Sequence, residues 1–150
     1  MNESETRAEL IDPKLKACGW GVVEGSKVLR EHLITAGEIQ IDGVRAKRLR
    51  ADYVLVYKGV KLAVIEAKSD ESGGSEGVAQ AKLYAEKLEL DTTYSTNGQE
   101  IYCICMKTGV EGWVDNFLTP DELWNKTFTQ QNQWREKFYA APSQSELAKK

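Results

Sequence analysis

The stretch "ADYVLVYKGVKLAVIEAK", residues 51 to 68, limits the architecture more narrowly than any other part of the chain. Val54 to Tyr57 form one run of β-formers and Leu62 to Ala67 another, and the intervening "KGV" is short enough only for a tight antiparallel connection. Against this apolar background three charged residues stand out: Asp52 near the start of the first strand, and Glu66 and Lys68 at the end of the second. Side chains alternate across a strand, so Glu66 and Lys68 share a face, as Asp52 does with Val54 and Val56. If Tyr57 pairs with Lys61 across the connection, the same register sets Asp52 opposite Glu66. Like charges facing each other across a ladder destabilise it by roughly 0.2 to 1 kcal/mol, and a divalent cation between them reverses the penalty. An oxygen-only donor set suits Mg²⁺, which keeps waters and takes substrate phosphate oxygens alongside one or two carboxylates. Lys68 would reach the same phosphate or an attacking water, and the whole would make a phosphodiesterase site. The plainer alternative is a same-face ion pair facing water, contributing about 0 to 1 kcal/mol.

Around the hairpin the pattern alternates helix and strand. Residues 3 to 18 read as a helix with Ile11, Leu15 and Cys18 on one stripe, bent or restarted where Asp12-Pro13 looks like an N-cap and first helical position. Gly19 and Gly21 end it, and short strands are expected around Val28 to Thr35 and Glu38 to Ile41, before an Asp42-Gly43 turn. After a glycine-rich loop, "VAQAKLYAEKLEL" is a helix with Val78, Ala81, Tyr84, Ala85 and Leu88 toward a core. Strands flank an Asn97-Gly98 turn, and Thr119 to Glu122 make a capping box opening a short final helix. We expect one domain over residues 1 to 124 and a Gln-rich tail or linker over 125 to 150.

The length of 150 residues suits a single core, and 41% hydrophobic with 29% charged residues is ordinary for a globular chain. No apolar run approaches the length of a bilayer span, the polar start is no signal peptide, and Cys18, Cys103 and Cys105 have no paired spacing, which together predict a reduced, cytoplasmic protein. A net charge of −3 does not advertise a polyanion partner, so any DNA contact needs a local patch. Arg45, Lys47, Arg48 and Arg50 supply a candidate for the DNA backbone, though such clusters are commonly solvated faces.

Asp52 followed by Glu66-Ala67-Lys68 resembles the PD-(D/E)xK nucleases. More closely, "ETR" at 5 to 7, "LIDPKLKACGW", "RADYVLVYKG", "AVIEAK", "QAKLY" and "STNGQEI" resemble, in that order, the N-terminal nuclease domain of the type I restriction enzyme R (motor) subunit, over most of residues 3 to 124. The resemblance implies an α/β fold with a restriction-endonuclease-like core: a helix, three antiparallel strands, a crossover helix and a parallel strand, giving a central mixed sheet flanked by helices. It implies Asp52, Glu66 and the Ala67 carbonyl as ligands of Mg²⁺, with Mn²⁺ as a substitute, and Lys68 as the catalytic lysine. Gln80 and Tyr84, one helical turn apart, match a Q-x-x-x-Y element, and Glu5 matches a helix acid directed at the site. The proline of the family name is replaced by Ala51.

The implied function is cutting of double-stranded DNA without sequence reading, delivered by motor domains of the same subunit and by specificity and methylation subunits. Gly19, Gly21 and Gly25 before Ser26-Lys27 fit neither Walker A nor the dinucleotide fingerprint, so ATP enters only through a motor region outside these residues. His32, the only histidine, reads as structural. The competing function is a non-catalytic DNA-binding or assembly module that keeps the nuclease fold.

Overall fold

The hairpin forms, but by a different route from the expected one. In the computed structural model, which describes residues 2–34, 40–41, 44–45 and 50–138, β4 (Arg50–Tyr57) and β5 (Val60–Ala67) are joined by Lys58 and Gly59 alone. Both turn residues have positive φ, 54° and 78°, the backbone of a type I′ turn whose twist matches that of the flanking strands. Tyr57 therefore pairs with Val60, not Lys61, and a ladder continued from there would set Asp52 against Ile65. The register slips between Val56 and Leu55: Val56 pairs with Lys61 and Leu55 with Ala63, leaving Leu62 as the extra residue of a β-bulge. Leu62 and Ala63 both enter the core cluster that holds Tyr53, Leu55 and Ile65. Beyond the bulge the pairing runs to Tyr53 with Ile65, and one further step brings Asp52 level with Glu66.

Six strands make the main sheet in the order β1-β4-β5-β6-β7-β8, with β1 Ser26–Leu33, β6 Thr92–Thr96, β7 Ile101–Cys105 and β8 Glu111–Val114. All neighbours are antiparallel except β5 and β6, which are parallel and joined through the crossover helix α3 (Val78–Leu88). This is the mixed, helix-flanked α/β sheet expected from the sequence. Strand β8, largely exposed and four residues long, is an addition to the strands expected from the sequence. Strands β2 (Gln40–Ile41) and β3 (Val44–Arg45) pair with each other; the expected Asp42-Gly43 turn lies outside the described residues.

The N-terminal segment runs as α1 (Glu3–Thr6), a π-helical turn (Arg7–Ile11) and α2 (Asp12–Ala17). The expected restart at Asp12 is thus a widened turn: the Asp12 N–H donates to the Arg7 carbonyl, five residues back. Asp12 is no N-cap; its carboxylate accepts from the Tyr53 hydroxyl at 2.8 Å instead. The final helix α4 (Pro120–Phe138) opens with the expected capping box, Thr119 and Glu122 exchanging bonds of 3.0 and 3.2 Å, and is longer than the short helix predicted. Its Trp124 and Phe128 pack against the core, and the Lys126 ammonium bonds Thr92.

Two clusters cover the sheet. Ile11, Leu15 and Trp20 from the N-terminal segment and Leu123 from α4 join Tyr53, Leu55, Ile65 and Tyr94; Ala51, Val54, Val56 and Val64 pack with Tyr84 of α3. No helix among the described residues is long and apolar enough to cross a membrane.

Candidate active site

The site lies where β5 ends and α3 begins. Glu66 is the last but one residue of β5 and 6% exposed; Asp52 reaches it from β4, and Lys68 follows just past the strand end. The Ala67 N–H donates to Asp52 Oδ2 at 2.8 Å, tying the end of β5 to the acid on β4. Lys68 Nζ stands 4.0 Å from Glu66 Oε2 and donates to Gln80 Oε1 at 3.0 Å. Gln80 therefore meets Lys68 from the exposed side of α3, while Tyr84, one turn on, is buried under the same helix.

Glu66 is the electrostatic centre. Burial, reinforced by the Asp52 charge, pushes its carboxyl up to about 8, against which Lys68 pulls only partly. Its Oε1 is buried and has no hydrogen-bond partner among the described residues. Burial and the charges of Glu66 and Asp52 also raise the Tyr84 hydroxyl, which keeps it a proton donor at neutral pH.

Two residues absent from the expected set help to build the site. Gly77, at the start of α3, leaves the room in which Glu66 sits: a Cβ there would come within 2.8 Å of Glu66 Cγ, 2.9 Å of Ser95 Oγ and 3.3 Å of Lys68 Cε. In sequence it is one glycine of a polar loop, without a signal of its own. Arg7, from the π turn, donates to Asp52 Oδ1 at 2.8 Å. It is the last residue of the "ETR" stretch at 5 to 7, to which the resemblance assigns no role beyond Glu5.

Glu5 is placed differently from Asp52 and Glu66. It is exposed, and its Oε1 accepts from the Asn2 N–H at 3.1 Å in the capping box of α1. It borders a hollow of about 570 Å³ together with Glu3, Ser69 and Glu71, and Glu3 is the N-terminal acid whose charge acts on Glu66. Of the basic cluster, Arg50 is exposed and donates to the Glu31 carbonyl at 3.4 Å; Arg45 is placed only by its strand, β3, and Lys47 and Arg48 lie outside the described residues. His32 pairs with Ala51 in the ladder, half-buried, with burial and Lys61 lowering its imidazole.

The donors suit a hard divalent cation. They are carboxylate oxygens, one of them buried without a partner, beside a cradle that a single methyl group would fill. Among the described residues, this site included, no group of three or more His, Cys, Asp or Glu is placed to hold a metal ion, so the side-chain donors here are the two carboxylates alone.

No family model matches the chain. It is 30% identical over 137 residues to the type I restriction enzyme EcoAI endonuclease subunit of Escherichia coli, a match covering 84% of this chain and 16% of that protein. A solved fragment from Vibrio vulnificus YJ016, assigned as an HsdR subunit of a type I restriction enzyme, superposes with a TM-score of 0.80 at 38% identity, over 88% of this chain and 26% of that one. The chain is homologous to the R subunits of type I restriction enzymes. It spans about a sixth of the curated R subunit that it matches, so the homology concerns one part of such a subunit.

Proposed function

We propose that this chain is the DNA-cleaving module of a type I restriction R subunit, a Mg²⁺-dependent endonuclease that hydrolyses phosphodiester bonds without reading sequence. The observation that carries the proposal is the bulged hairpin register, which brings Asp52 and Glu66 together beside Lys68 although it buries one carboxylate against the charge of the other. Arg7 and Lys68 offset part of the repulsion between the two carboxylates, and a divalent cation would relieve the rest. Asp52, Glu66 and the Ala67 carbonyl would hold Mg²⁺. When bound, the ion would polarise the phosphoryl group and lower the pKa of a coordinated water.

The remaining chemistry belongs to the chain's own groups. Lys68, held by Gln80, presents a positive charge beside the carboxylates, where charge builds on the phosphoryl oxygens. Gln80 orients the ammonium, and Tyr84 keeps a protonated hydroxyl under the same helix. Gly77 lets the start of α3 approach the Glu66 and Lys68 side chains closely. Double-stranded DNA is the substrate, delivered by motor domains of the full-length subunit and by specificity and methylation subunits.

The test is nicking of supercoiled plasmid with Mg²⁺, in the assembled enzyme and with the isolated chain. Asp52→Ala and Glu66→Ala should each abolish nicking by the assembled enzyme while leaving the fold intact. Wild-type cutting by both variants would move the reaction elsewhere and leave this chain a non-catalytic module.

A further inference from the structure

Asp52 has both oxygens engaged: Oδ2 by the Ala67 N–H and Oδ1 by the Arg7 guanidinium, each at 2.8 Å. Charge-assisted bonds of this length are among the stronger ones in proteins, and Arg7 is only 23% exposed, so solvent weakens this one little. A divalent ion sharing Asp52 with Glu66 would sit within a few ångströms of a guanidinium bonded to the same carboxylate. The two positive charges compete for one acid.

Arg7 also has somewhere to go. Its NH2 lies 3.9 Å from Glu31 Oε2, and Glu31 sits in β1 between the two residues that pair with Tyr53 and Ala51, opposite Asp52. Glu31 has a φ of 50°, the left-handed region in which a non-glycine residue inside a strand is strained. A cleft of about 130 Å³ runs between Asp52, Glu31 and Arg7, with Arg30 and Asp12 on its wall. The base of the Arg7 side chain is meanwhile fixed, because the Arg7 carbonyl accepts from the Asp12 N–H in the π turn.

Resting on the reading of Asp52 and Glu66 as a cation site, we propose that Arg7 is its resident counter-ion: it neutralises Asp52 in the metal-free protein, competes with the divalent cation, and passes to Glu31 as the cation enters. Arg7 is then a positioning residue acting through Asp52. The site is kept charge-balanced while empty and loads metal reluctantly until DNA phosphates add their own oxygens.

The test is Mn²⁺ binding to the whole chain without DNA, read by calorimetry and by the metal-induced rise in melting temperature. Arg7→Met should bind Mn²⁺ about tenfold more tightly than wild type, the scale of one lost charge-assisted hydrogen bond, and should melt lower without metal. Arg7→Lys, the milder change should the methionine fail to fold, should fall between the two. Glu31→Gln should weaken Mn²⁺ binding by removing the second berth, and in an Asp52→Asn background Arg7→Met should change nothing. Unchanged or weaker binding by both Arg7 variants, with wild-type binding abolished by Glu66→Ala, would overturn the role of Arg7 and leave the cation site standing. Absence of any Mn²⁺ response in wild type and Arg7→Met alike would remove the cation site, and this inference with it.

Discussion

Among single residues, Glu66 makes the sharpest demand. Its folded carboxyl sits at about 8 against an ordinary 4.5, so the folded state holds the proton more tightly than the unfolded state. Stability is then fully present below about 4.5 and is lost as pH rises toward about 8, above which both states are ionised and the loss is complete. In chelator, Glu66→Gln should therefore gain on wild type from pH 5 to pH 8, by a difference on the order of a few kcal/mol at the upper end, and hold a constant gap beyond. Thermal melts across pH would show it; a gap independent of pH would mean that Glu66 is not desolvated as described. Lys68 answers to a different measurement. If its ammonium stabilises charge that develops during reaction, Lys68→Ala should reduce turnover by about 10²-fold or more and leave Mn²⁺ affinity within a few-fold. Equal losses in both would make it a structural partner of Glu66.

At the scale of elements, the start of α3 decides how the two carboxylates are enclosed. Gly77 has an ordinary φ of −92°, so alanine would be acceptable to the backbone and would stabilise many such positions by about 0.4–1 kcal/mol. Here the added methyl meets Glu66 and Ser95 below 3.0 Å, and the sign reverses. Gly77→Ala should lose about 1–3 kcal/mol by overpacking and, by displacing Glu66, should blunt the Mn²⁺-induced rise in melting temperature. An alanine variant as stable and as metal-responsive as wild type would show that α3 can retreat. The same scale shows what the sequence could and could not disclose. Asp52, Glu66, Gln80 and Tyr84 were legible as candidates because each sits at a fixed spacing within a strand or helix, and Lys68 because it stands two residues after Glu66. Arg7 meets Asp52 across 45 residues, and Gly77 matters only through what is absent from it; neither leaves a periodic trace. Strand β8 lacks alternation because its residues are largely exposed, and the bulge at Leu62 is invisible because Leu62 to Ile65 are all apolar and carry no alternation for a register slip to break.

For the whole molecule, net charge and reach are the governing quantities. With a charge of −3, the chain offers DNA few phosphate contacts, and each neutralised phosphate steepens the fall of affinity with salt by a slope near −0.9. The isolated chain should bind duplex DNA feebly at physiological salt and cut slowly or not at all, whereas tethering to a translocating partner can supply an effective concentration of about millimolar. Submicromolar affinity for the isolated chain, or cutting at one fixed sequence, would point to a self-sufficient enzyme. The separate helices and strands were legible because hydrophobic runs and turn residues mark them locally, whereas their assembly into a mixed sheet was implied by the family resemblance. The course of the N-terminal helix was less so, since the π turn answers to Asp12 and Tyr53, which meet only in the folded chain.

The bulge in the β4–β5 hairpin has an evolutionary consequence. Leu62 is a spare residue in the ladder, since it shares its position opposite Leu55 with Ala63. A lineage that lost one residue between 61 and 64 would anneal the bulge and keep Glu66 level with Asp52. One that gained a residue between 64 and 66 would need a second bulge or would turn Glu66 to the opposite face. Length variation in this hairpin should therefore be lopsided, with shortening tolerated on the far side of the turn and lengthening confined to the turn itself.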